Sequence, residues 1–232
     1  MNRDTLYLGV MSLALALSLA TLYWAFEVAP EPTSMTFAQK IFYFHVPSAI
    51  SMQLLFVTSG IASIVYLVRD TAGADRLARC CAEVGVMLAL FVLITGPLWA
   101  RVAWGHYWEW EPRLTLTMVL MFMFVAYVAL RAFGGDDPLT RRICAGLAIA
   151  GLPAIYLVRI AVEKWRGTHP QVVWKGGLQH PDMKTAFLLG CLAFVFISIT
   201  LVWSRYRQAK TAERIEALTL ELMERDLLED EL

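Results

Sequence analysis

The chain contains four histidines, His45, His106, His169 and His180, and eight tryptophans in 232 residues. The stretch WGHYWEWEPRLT, residues 104–115, sets Trp104, Trp108, Trp110 and Tyr107 within seven positions, with Glu109 and Glu111 among them. A packed core needs no such run of large amphipathic rings; a shelf that holds a flat, partly polar ligand does. Two histidines have matching surroundings. His45 in KIFYFHVPSAIS and His180 in GGLQHPDMKTAF each precede a proline within two residues and open onto an apolar run. That near-symmetry suggests two imidazoles approaching one metal from opposite sides. A bis-histidine iron porphyrin, haem b, fits, with the tryptophans against its ring. Lys40, Arg101, Arg113 and Lys175 are candidate partners for its propionates. A mononuclear zinc site would need three or four ligands and leave the aromatic shelf without a purpose. His106 and His169 lack the helix-mouth context and stay outside the expected ligand set.

These residues need elements to position them. The chain is 58% apolar and only 17% charged, with zero formal net charge, where a soluble domain is about half apolar and a quarter charged. A hydrocarbon layer of about 30 Å takes about 20 mainly apolar residues to cross. Uncharged runs at 6–25, 48–68, 84–100, 114–130, 143–160 (extended past Arg159) and 185–203 approach or meet that length. They lack the alternation of barrel strands. The expectation is an all-α integral membrane protein with six transmembrane helices and an external tryptophan-rich loop. Pro97 and Pro153 should kink the third and fifth helices, and Pro112 suits the first turn of the fourth, leaving 104–111 as a short interfacial segment. In a helix, Trp104 and Trp108 would share one face.

With six spans the termini share a side. That side holds 12 of the 20 Lys and Arg residues and the other side 8, a modest bias that puts both termini in the cytoplasm. Seven tryptophans then map outside, namely Trp24, Trp99, Trp104, Trp108, Trp110, Trp165 and Trp174, and only Trp203 inside. A two-sided interfacial belt does not give seven to one. All four histidines also map outside. Residues 1–205 form the membrane domain, and 206–232 an amphipathic cytoplasmic tail with Ile215, Leu218 and Leu222 at helical spacing.

Cys80, Cys81, Cys144 and Cys191 form no C-x-x-C and no C-x-x-C-H pattern, which excludes covalent haem attachment, a cysteine zinc site and a disulfide framework. The first run lacks a cleavage pattern and is expected to be retained. No phosphate loop and no nucleophile–base pair is evident, so the chain is not read as an enzyme and any ATP hydrolysis belongs to a partner. Balanced charge gives no reason to expect nucleic acid. A haem-containing quinol oxidoreductase or electron-transfer subunit is the alternative function. Such subunits place histidines within their helices, and no histidine falls in the six runs.

WGHYWEWEPRLT resembles W-G-x-x-W-x-W-D-x-R-L-T, the signature of the haem-handling proteins of cytochrome c maturation. FHVPSA and HP-x-M are similar to the two histidine segments of their haem exporter protein C branch. The resemblance covers about residues 5–205; the tail beyond Tyr206 is outside it. It implies an inner-membrane protein that binds haem on its periplasmic face and passes it to a membrane-anchored haem chaperone. Its implied partners are the ATPase and membrane subunits of an ABC transporter and a small single-span accessory protein. By resemblance His45 and His180 are the axial ligands, and Trp104, Trp108, Trp110 and Glu111 form the haem-contacting loop. Lys40 lies where the family has a basic residue before the first histidine. Glu111 departs from the family's aspartate; it keeps the charge near a helix N-terminus.

Overall fold

The computed structural model describes residues 2–31, 36–135, 137–165, 167, 169–170 and 177–230, with side chains as far as residue 224. Trp174 and Lys175, both among the expected outer-face residues, lie outside the described residues, as does Arg166. Six helices follow in order: α1 (Arg3–Tyr23), α2 (Gln39–Arg69), α3 (Ala72–Trp104), α4 (Pro112–Gly134), α5 (Pro138–Lys164) and α6 (Pro181–Asp230). All six are long and apolar enough to cross a membrane. The chain is an all-α membrane protein.

Every helix is longer than the apolar run that announces it. At 1.5 Å per residue, the 31 residues of α2 reach about 46 Å, well past a hydrocarbon layer of about 30 Å. The extra length lies at the N-terminal end, where α2 starts at Gln39 rather than near Ser48. Polar residues there are satisfied within the protein: Lys40 is buried, and its Nζ donates to the Ala29 carbonyl at 2.8 Å. His45 therefore lies inside a helix and not ahead of one. This corrects the expectation that the histidines stand clear of the helices. α1 ends in a π-helical turn, Trp24–Val28, and a 3₁₀ turn, Thr36–Ala38, precedes α2.

The core lies between α2, α3, α4 and α5. Phe56 and Phe124 stack at 3.8 Å with planes 8° apart. Gly85 makes room for Phe56, whose ring would meet an added Cβ at 2.5 Å. Pro47 lies within α2 and supplies no N–H to the Tyr43 carbonyl one turn back. That carbonyl faces Gly190 of α6, where an added Cβ would stand 2.5 Å from it. Gly190→Ala is expected to lower stability by about 1–3 kcal/mol through forced displacement of backbone. Gly146→Ala, with nothing within 4 Å, should be neutral or raise it by up to about 1 kcal/mol. Thermal unfolding of the two variants in detergent checks the contrast.

The end of the bundle opposite His45 is closed by ion pairs. Buried Asp75 meets buried Arg131 at 3.0 Å and Arg141 at 3.8 Å. α6 carries its helix into the tail without a break, as 50 residues and about 75 Å. Arg76 holds Glu213 and, at 3.1 Å, the Tyr206 hydroxyl. Arg205 pairs with Glu83 at 2.6 Å and Arg207 with Asp4 at 2.8 Å. Ile215, Leu218 and Leu222 are exposed.

Candidate haem-binding cleft

At the other end α2, α3, α4 and α5 line a cleft that opens to the outside. Its walls are apolar, from residues such as Phe42, Val92 and Leu114. Two imidazoles (His45 and His169), two guanidinium groups (Arg113 and Arg159) and the Trp104 ring also line it.

His45 sits nearly two turns into α2 and faces α3, with Nδ1 2.8 Å from Thr95 Oγ1. The Thr95 hydroxyl already donates to the Phe91 carbonyl at 2.8 Å, and it has one proton to give. Thr95 therefore accepts from His45, Nδ1 carries the hydrogen, and Nε2 keeps its lone pair. A neutral imidazole with Nδ1 anchored and Nε2 bare is the form that binds a metal. The ring lies against Gly96, where an added Cβ would be 3.1 Å from His45 Cε1.

His169 comes from the segment after α5. That chain folds back under the N-terminus of α4, where Glu111 is the N-cap residue in extended geometry. Buried Glu111 accepts the His169 backbone N–H on Oε2 at 3.1 Å. Burial holds the His169 imidazole down at about 3, helped by the Arg113 charge, so it is neutral near pH 7. Burial also raises the Glu111 carboxyl above its ordinary range, against the pull of the His169 N–H and of Arg113.

The other expected residues are spread around this cleft. Gly105, in the left-handed region at φ 81°, ends α3 at Trp104 and breaks the loop into two aromatic sets. Trp104 packs with Trp99 at 5.4 Å, His106 at 6.1 Å and His169 at 6.5 Å. Trp108 and Trp110 meet edge to face at 5.7 Å outside the cleft lining, and Trp110 is exposed. Trp104 and Trp108 thus do not form one helical face. Arg101 donates to the Gly105 carbonyl and lies over Tyr107. Lys40 is engaged with Ala29, and with Glu31 at 3.7 Å. His180 precedes α6, is half exposed, and its Nδ1 accepts the Asp182 N–H at 3.3 Å. The structure therefore brings His45 together with His169, Arg113 and Trp104, and places His180 at the surface.

His169 and Arg159 also line the cleft, and neither was among the residues expected to hold the ligand. A signal for His169 was present: it is followed by Pro170, the same His-Pro pair that drew attention to His180.

The donor set suits haem. Nε2 of His45 is free for iron, the apolar walls suit a macrocycle, and Arg113 and Arg159 suit its carboxylates. The heme exporter protein C family matches residues 3–221 of the chain, which takes the likeness past Tyr206 into the tail. The heme exporter protein C of Escherichia coli is 28% identical over 184 residues, 79% of this chain and 75% of that protein. That of Bradyrhizobium diazoefficiens is 29% identical over 83% of this chain and 74% of its own. That of Paracoccus denitrificans is 30% identical over 69% and 66%. With its six membrane helices and with the match running from α1 into the tail, the chain belongs to the heme exporter protein C family.

Proposed function

We propose that this protein binds haem b as cargo in the cleft, with His45 and His169 on the iron. It then gives the haem up at the outer face of the bacterial inner membrane to a membrane-anchored haem chaperone, during maturation of c-type cytochromes. The observation that carries this reading is the pair of neutral imidazoles at one apolar cleft rimmed by two guanidinium groups. The names of the relatives support it: each is a heme exporter protein. Arg113 and Arg159 hold the propionates, Trp104 lies against the macrocycle, and the open mouth leaves one haem edge for the acceptor. Trp108 and Trp110, beside the mouth, form the docking face. Both termini lie in the cytoplasm. The ATPase and membrane subunits of an ABC transporter and a small single-span protein assemble with the chain, and the ATPase subunit hydrolyses the ATP.

Absorption spectra of the purified protein, oxidised and reduced, test the reading against His45→Ala, His169→Ala and His180→Ala. The expected result is a six-coordinate low-spin haem in the wild type and in His180→Ala, lost or converted to high spin in the other two. A wild-type spectrum in His169→Ala with loss in His180→Ala would give the second ligand to His180. No haem in the wild type after expression with ample haem would overturn the function itself.

A further inference from the structure

Glu111 lies in the tryptophan loop, yet it does not line the cleft. Its carboxyl is turned inward, with 4% of the side chain exposed, and both oxygens face the segment that carries His169. Oε2 holds the backbone N–H of His169 at 3.1 Å, and Oε1 stands 3.7 Å from His169 Nδ1. Neither Oε1 nor Nδ1 has a hydrogen-bond partner among the described residues. The approach depends on Gly167: a Cβ there would come within 2.6 Å of Oε2. So the segment after α5 is built to admit a carboxyl group at the back of one imidazole, 58 residues away in sequence. The Leu114 N–H in the first turn of α4 also draws on this carboxyl, but a helix cap alone would need none of the fold-back.

We propose that Glu111 is a positioning residue for the second haem ligand. Its Oε1 accepts Nδ1–H of His169, fixing the tautomer that leaves Nε2 for iron and lending that imidazole anionic character. The inference rests on His169 being an axial ligand. A shift of less than 1 Å closes the 3.7 Å gap to a hydrogen bond of about 2.8 Å. Carboxylate–histidine pairs behind a ligated metal orient the ring and raise its basicity. The two ligands are then unequal, because His45 is backed by the neutral hydroxyl of Thr95 and His169 by a carboxylate. A more basic imidazole favours ferric over ferrous iron, so Glu111 holds the haem potential down.

The test is a redox titration of the haem-loaded, full-length protein in detergent, followed by its absorption bands. Glu111→Gln keeps an acceptor for the His169 backbone N–H but removes the charge. It is expected to keep the low-spin spectrum while the preference for ferric iron falls about tenfold, an upward shift of about 59 mV for one electron. Glu111→Asp keeps the charge but is one methylene shorter, so it should recover only part of the shift. Gly167→Ala leaves Glu111 intact but displaces its carboxyl, and should shift the potential in the same direction. If Glu111→Gln does not accumulate, Gly167→Ala carries the measurement. Unchanged potentials in these variants, with low-spin haem lost in His169→Ala, would leave Glu111 a structural tie and overturn the inference alone. A wild-type spectrum in His169→Ala would overturn the ligand assignment and this inference with it.

Discussion

Asp75→Ala is expected to cost the protein about 3–5 kcal/mol, the penalty for breaking a buried ion pair from one side. Asp75 stands in the first turn of α3, where a carboxylate also meets the positive end of the helix dipole. Arg131 approaches it at 3.0 Å from the last turn of α4, and Arg141 at 3.8 Å from the first turn of α5. One carboxylate thus joins three helices at the end of the bundle opposite the cleft. Both Asp75 and Arg131 are nearly inaccessible, at 5% and 4% exposure. Removing Asp75 takes the 3.0 Å ion-pair contact from a buried guanidinium that cannot shed its proton. Against a total stability of about 5–15 kcal/mol, the variant should melt far below the wild type or fail to accumulate. Arg131→Met should cost less, since Asp75 keeps Arg141. The double variant Asp75→Ala/Arg131→Met should recover most of the loss, because apolar replacement of both members of a buried pair is often nearly neutral. Melting curves of the three variants in detergent check the order. A wild-type melting point for Asp75→Ala would show that water reaches the pair.

The six helices were legible because a membrane span is written in one dimension, as uninterrupted apolar length. Their ends were not, because hydropathy reports the part that faces lipid and says nothing of what protein covers. Lys40 looks like a terminator in the sequence, yet it sits in the first turn of α2 because the Ala29 carbonyl receives it. The continuation of α6 past Ser204 was equally hidden, since Arg76 and Glu83 on α3 supply the partners for its charged residues. At the site, composition and spacing singled out His45, Trp104 and Arg113, and all three line one cleft. His169 reaches that cleft and His180 does not because of a fold-back that brings residue 169 beneath residue 111. Proline context, the local feature that selected His180, is shared by both histidines. The feature that sets them apart, a glycine at 167 shaped to a distant carboxyl, is tertiary. The lone departure from the family's aspartate, Glu111, is the residue that makes the contact; its extra methylene extends the reach of the carboxyl.

Gly96 offers the largest change in haem binding that leaves every proposed ligand in place. It lies on α3 in the lining of the cleft, beside Thr95, and a Cβ there would meet His45 Cε1 at 3.1 Å and its two ring nitrogens at 3.9 and 4.0 Å. Gly96→Ala forces the imidazole to give by a few tenths of an ångström, which should loosen haem retention modestly. Gly96→Leu sends three further carbons along the same direction into the space that the macrocycle is proposed to fill. Overpacking of about 1–3 kcal/mol, with each 1.4 kcal/mol a factor of ten, should lower haem retained per protein at least tenfold. Without haem the leucine can lie in the open cleft, so the haem-free protein should lose less than the overpacking figure. Leucine is the better helix former by about 1 kcal/mol, opposed by the restriction that Pro97 places on a preceding residue with a Cβ. Haem loss without unfolding would therefore separate a filled site from a damaged fold, a distinction that His45→Ala alone cannot make. Haem content by pyridine haemochromogen, set beside the melting point of the haem-free protein, reads both quantities. Full loading of Gly96→Leu would exclude the cleft and return the haem to the exposed tryptophans outside it.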